Sequence, residues 1–126
     1  MNNEQPNRGY HDKDPLSEKS FLFSLRIIKL FKYMQNDQKE YILSKQILRS
    51  GTAIGALIRE AKYAQSKADF LNKLMISLKE ANETKYWLEL LHQSNYIDQK
   101  MYKSIEPDIN ELLKLLISST KTIRKN

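Results

Sequence analysis

The chain contains no cysteine, which excludes disulfides, thiolate metal sites and a cysteine nucleophile. Glycine and proline are scarce, at three each in 126 residues. A turn-rich β-sandwich or barrel would need more of both. The two histidines, His11 and His92, leave little for histidine-based catalysis or metal binding. No apolar run is long enough to span a bilayer, and residues 1–20 are polar, without the apolar centre of a signal peptide. A cytoplasmic protein with no membrane role is therefore expected.

What is present points to a folded, basic domain. Hydrophobic residues make up 40% of the chain and charged residues 29%, too apolar for a fully disordered sequence. The length suits one domain. Lysine and arginine total 21 against 15 acids, a net charge of +6. Such a balance suits an anionic partner, nucleic acid before a membrane surface, or simply a solvated, soluble exterior. The charge is uneven: residues 1–20 hold 3 basic and 4 acidic groups, residues 21–75 hold 10 and 4, and residues 76–126 hold 8 and 7. A nucleic-acid face belongs in the middle stretch.

Residues 1–14 have few aliphatics and are expected to form a flexible tail. Asp14, Pro15 and Ser17 then supply helix-start chemistry. Over 16–35, Phe23, Ile27, Leu30 and Met34 recur on one helical face. Phe21, Leu25 and Ile28 add a second apolar row. It is either the edge of a broad core stripe or a subunit interface, and the interface is favoured.

A second helix is expected from 39 or 41 to 64, with Leu43, Ile47, Ser50, Ile54, Leu57, Ile58 and Ala61 inward. Gly51 and Gly55 lie beside that stripe. Each costs a helix about 1 kcal/mol against alanine, so a closely approaching backbone, or a local kink, is expected there. A third helix over 66–94 opens on Ser66 with Asp69 three residues on, as in a capping box. Phe70, Leu74, Leu78, Ala81, Leu88 and Leu91 face the core; Trp87 and Leu90 widen the apolar surface. Asp98 caps a fourth helix, with Met101, Ile105, Ile109, Leu112, Leu116 and Ile123 inward. Pro107 lacks an N–H and is expected to kink or break it near 103–107. Short connections make sequential helices antiparallel neighbours. The expected fold is all-α, an up-down-up-down four-helix bundle over 15–126.

Particular stretches also resemble a known family. They are Lys19-Ser20-Phe21 with Leu25-Arg26-Ile27-Ile28; the run from Leu43 to Thr52 followed by Ile54-Gly55-Ala56; Glu60-Ala61; Ser66-Lys67 with Asp69-Phe70; and Leu78-Lys79-Glu80-Ala81 with Glu83 and Tyr86-Trp87-Leu88. In these the chain resembles the bacterial ribosomal-RNA intervening-sequence proteins. It departs from them at Leu57, where the family usually has Asn, at Arg59, where it usually has an acid, and at Pro107. The resemblance implies a four-helix bundle in a ring-like homo-oligomer, a pentamer by precedent. A related bundle, the accessory protein of diversity-generating retroelements, works beside a reverse transcriptase and contacts nucleic acid through a basic surface.

Three functions are compatible with these features. The first is a non-enzymatic homo-oligomer that binds RNA or DNA through phosphates, with Lys29, Lys32, Lys45, Arg49, Arg59, Lys62, Lys67 and Lys73 as contacts. For Arg49 the alternative is a salt bridge to Glu80 or Glu83. For Tyr63 the choice lies between stacking on a base and an ordinary helix-end aromatic. The second is an adaptor for a protein partner, using Phe21, Leu25, Ile28, Trp87 and Leu90. The third, an enzyme, has weak support: one Glu-x-x-His, at Glu89 and His92, where di-metal bundles need two, and no phosphate-cradling loop. No metal, cofactor or catalytic residue is expected.

Overall fold

The computed structural model describes residues 14–125. The expected tail lies outside them apart from Asp14, which belongs to the first helix as its cap. Four helices follow in order: α1 Pro15–Asn36, α2 Leu43–Ala61, α3 Lys67–Gln93 and α4 Gln99–Lys125. No strand occurs among the described residues.

Local chemistry sets each helix start. The Asp14 carboxylate accepts from the Leu16 N–H at 3.0 Å and from the Ser17 hydroxyl at 2.9 Å, and Pro15 needs no partner in the first turn. Ser66 accepts from the Asp69 N–H at 3.0 Å, while the Asp69 carboxylate reaches back to the Gln65 N–H at 3.2 Å. Asp98 accepts from the Met101 N–H at 2.8 Å. α2 starts at Leu43, later than the 39–41 expected from sequence, because Glu40 caps it from outside. Its carboxylate accepts from the N–H groups of Ile42, Leu43 and Ser44 at 3.1, 2.9 and 2.8 Å. Burial pushes the Glu40 pKa up, but these hydrogen bonds outweigh burial and leave it below the usual carboxylate value.

The four helices pack in a ring of neighbours, each antiparallel to the next. Gly55 of α2 faces Ser20 of α1, and Gly51 faces Ile27. Arg49 meets Glu80, and Lys73 lies near Glu60. At the α3–α4 seam, His92 and Tyr102 stack with ring centroids 4.1 Å apart, and Arg124 reaches Met75. The Tyr102 hydroxyl donates to Glu106 at 3.1 Å; burial, then that acceptor and its charge, push its pKa up. Lys19 pairs with Glu111 across α1–α4, the loosest seam.

The core is the set of inward rows. Phe23, Ile27, Leu30 and Met34 are all buried, as are Ile47, Ile54 and Ile58 on α2 and Ile105, Ile109, Leu112 and Leu116 on α4. Burying each such side chain contributes about 1.5–3 kcal/mol. Leu43, Leu57, Phe70, Leu78, Met101 and Ile123 are only partly buried. On α3 the inward positions include Ser77 and Thr84, fully buried hydroxyls that the apolar pattern omits. Ser77 donates to the Ile54 carbonyl at 2.9 Å, and Thr84 hydrogen-bonds Ser50 at 2.9 Å. Small, hydrogen-bonded residues let α2 and α3 approach closely without orphaned polar atoms.

The backbone approach expected at the glycines is present at Gly55, whereas Gly51 meets a side chain. A Cβ on Gly55 would sit 3.3 Å from the Ser20 carbonyl oxygen, and one on Gly51 would sit 2.9 Å from both Cγ atoms of Ile27. Of the two outcomes expected at Pro107, the break does not occur: α4 runs continuously through it. It lies with Lys103 on the exposed side, where the carbonyl that loses its partner can bond water.

Candidate nucleic-acid interface

Acids are unevenly placed between the two halves of the bundle. No acid lies between Glu18 and Asp37, nor between Glu40 and Glu60, and these two stretches carry Lys19, Arg26, Lys29, Lys32, Lys45, Arg49 and Arg59. The acids that neutralise some of them come from α3 and α4. Arg26 pairs with Asp108 at 2.7 Å and donates to the Ser104 carbonyl and hydroxyl at 2.9 and 2.7 Å. Lys19 pairs with Glu111 at 3.3 Å. Arg49 pairs with Glu80 at 3.1 Å and with Glu83.

The eight candidate cations therefore divide. Arg49 forms the salt bridge that sequence left as its alternative. Lys73 lies 4.0 Å from Glu60 and 3.9 Å from Asp69, a shared and weak pairing. Lys62 borders an open pocket of about 350 Å³ at the end of the bundle, floored by Ile58, Leu74 and Ile123. Lys29, Lys32, Lys45, Arg59 and Lys67 are exposed and have no ion pair among the described residues. The first four share one face.

That face follows from helical geometry. Lys19 and Arg26 mark the side of α1 turned to α4, and Gln35, which donates to Ser44 at 3.1 Å, marks the side turned to α2. At about 100° per residue, Leu25, Lys29 and Lys32 point outward between them. On α2, Ser50 faces α3 and Gly55 faces α1. Lys45, Thr52, Ala56 and Arg59 then fall together on its outward stripe. Tyr41 and Tyr63 flank the two ends of that stripe, 48% and 82% exposed.

The apolar candidates fall on two separate surfaces. Leu25 and Ile28 on α1 are 51% and 37% exposed, and Phe21 is half-buried. Leu22, which the sequence rows did not include, is 54% exposed beside them. Trp87 and Leu90 on α3 are half-buried, and the Trp87 indole donates to Glu83 at 3.2 Å. Sequence reasoning also missed Tyr41. Its signal was an aromatic four residues before a lysine, at a helix start placed too early.

Among the described residues no cluster of three or more histidines and acids is arranged to hold a metal ion. No described helix is long and apolar enough to cross a membrane. The geometry presents an exposed surface of α1 and α2 on which Lys29, Lys32, Lys45 and Arg59 carry no ion pair with a described residue.

The chain resembles a solved structure from the S23 ribosomal protein family of Bacteroides thetaiotaomicron VPI-5482, a protein with unknown function. The two share 59% identity, covering 84% of this chain and 98% of that one, with a TM-score of 0.83. No match to a curated protein was found. The sequence profile of the 23S rRNA-intervening sequence proteins matches residues 15–118, which span all of α1, α2 and α3 and most of α4. The chain belongs to the 23S rRNA-intervening sequence protein family.

Proposed function

We propose that the protein is a non-enzymatic, self-associating helical bundle that binds nucleic acid through the α1–α2 face, working in the cytoplasm as a ring-like homopentamer. The observation that carries the nucleic-acid reading is the set of exposed cations Lys29, Lys32, Lys45 and Arg59, left without acidic partners on two stretches, 19–36 and 41–59, that hold no acid. Phosphate contacts need positive side chains on a shared surface and no base-reading motif. The family name points to ribosomal RNA as one setting for such a surface.

Self-association is supported by the two apolar surfaces. A ring uses a head-to-tail contact, so each subunit needs two different patches. Leu22 and Leu25, about one to three turns before Lys29 and Lys32 on the outward side of α1, supply one and leave the lysine end of that side open, and the Trp87–Leu90 side of α3 supplies the other. Five-fold closure is the form that the resemblance to the intervening-sequence proteins implies. Assembly would bring several copies of a modest basic face into one field.

The test is binding of labelled RNA and DNA to the purified chain at low and rising salt. Binding that weakens steeply with salt is expected; no binding at the lowest salt contradicts the reading. A second reading, an adaptor for another protein, is favoured by the exposure of Leu22 and Leu25. Solution mass separates the two. A closed oligomer is expected, whereas a monomer at high concentration leaves those side chains for a different partner.

A further inference from the structure

We infer that the α2 face takes single-stranded rather than duplex nucleic acid, with unpaired bases stacked on Tyr41 and Tyr63. This rests on the nucleic-acid reading above and narrows it. Lys45 and Arg59 lie near the two ends of the outward side of α2, with Thr52 and Ala56 between, and the exposed Tyr41 and Tyr63 lie just beyond those ends. Lys29 and Lys32 of α1 fall at the Lys45 end, because Gln35 meets Ser44 and Ile27 meets Gly51. Lys67 follows Tyr63 at the Arg59 end.

Both tyrosine rings are exposed, and neither side chain has a hydrogen bond or ring contact with another described residue. A tyrosine that is neither core nor capped leaves its ring face free for a base. Each is four residues from a cation that also lacks an acidic partner, Lys45 for Tyr41 and Arg59 for Tyr63. Aromatic and cation side by side are what a single strand requires, one for the base and one for the phosphate.

The spacing argues against a duplex. Lys45 and Arg59 are 14 residues apart, about 21 Å of helix. A duplex lying along that length presents about a dozen phosphate charges, at about 1.7 Å each. The one cation of α2 inside the interval is Arg49, and its charge is held by Glu80 and Glu83. Ala56 offers a duplex backbone no contact and the Thr52 hydroxyl donates to the Leu48 carbonyl at 2.7 Å, whereas bases of a single strand can lie against small side chains. From Leu43 to Ala61 the helical path is about 27 Å, within reach of a strand in the range of about 4–16 nucleotides.

The experiment is fluorescence anisotropy of the full chain with a labelled 15-nucleotide oligouridylate and with a duplex RNA of the same length. It is repeated for Tyr41→Ala, Tyr63→Ala, Tyr63→Phe and Lys45→Glu/Arg59→Glu. The single strand is expected to bind at least tenfold more tightly than the duplex. Each tyrosine-to-alanine change should weaken single-strand binding about 5- to 100-fold without altering its salt dependence, and Tyr63→Phe should bind like the parent chain. Duplex binding as tight as single-strand binding overturns the inference. So does wild-type affinity in both alanine variants while Lys45→Glu/Arg59→Glu loses binding, and in that case the broader reading survives. No binding of either RNA at low salt removes the broader reading, and this inference falls with it.

Discussion

At residue scale, the two helical glycines separate packing from propensity. Alanine at either site gains about 1 kcal/mol of helix propensity. At Gly51 the new Cβ would press on the β-branched Ile27, itself fully buried, at 2.9 Å. Overpacking of this kind costs about 1–3 kcal/mol. At Gly55 the nearest atom is the Ser20 carbonyl oxygen at 3.3 Å, a smaller intrusion. Gly51→Ala is therefore expected to lower stability by about 1 kcal/mol, and Gly55→Ala to lie near zero, in urea unfolding. The reverse order would contradict this packing. The sequence announced both glycines through their cost, but it could not say which met a side chain and which met a backbone. Ser77 and Thr84 were illegible for a related reason: an inward hydroxyl breaks an apolar pattern, and its partner lies on another helix.

At element scale, α2 depends on a cap placed outside its own first turn. Hydrogen bonding lowers the Glu40 pKa in the folded chain. Its stabilisation is thus fully present above the unfolded carboxylate value of about 4.3 and is lost as pH falls through the folded value. Glu40→Gln is expected to cost about 1 kcal/mol at neutral pH. The unfolding curves of parent and variant should converge as pH falls through the folded value; a constant offset down to the acid limit would contradict the cap. Pro107 gives a second test. α4 tolerates it without a break, so Pro107→Ala should restore a backbone hydrogen bond and raise thermal stability, by about 1–3 kcal/mol. A loss of stability would show that the ring itself is packed. Capping signals at Asp14, Ser66 and Asp98 were local and therefore readable. Glu40 was not, because it reaches forward over residues outside any helix.

At the scale of the whole molecule, the four inward rows were legible because a 3.6-residue period repeated for five to seven turns is hard to mistake. The candidate site was legible only as a surplus of positive charge. Which cations stay free depends on acids 31 to 82 residues away, as at Arg49 and Arg26, and that is tertiary information. The bundle uses the acids of α3 and α4 on the seams and leaves the outer α1–α2 face basic. Counterion release makes this claim measurable. For a single strand, the slope of log affinity against log salt changes by about 0.7 for each phosphate-bound cation removed. The decisive measurement compares that slope for the parent chain and for a variant with Lys29, Lys32, Lys45 and Arg59 all replaced by alanine. A basic binding face predicts a slope shallower by about 3 units in the variant, with weaker binding at every salt concentration. Equal slopes, or equal affinities, would show that nucleic acid does not lie on this face.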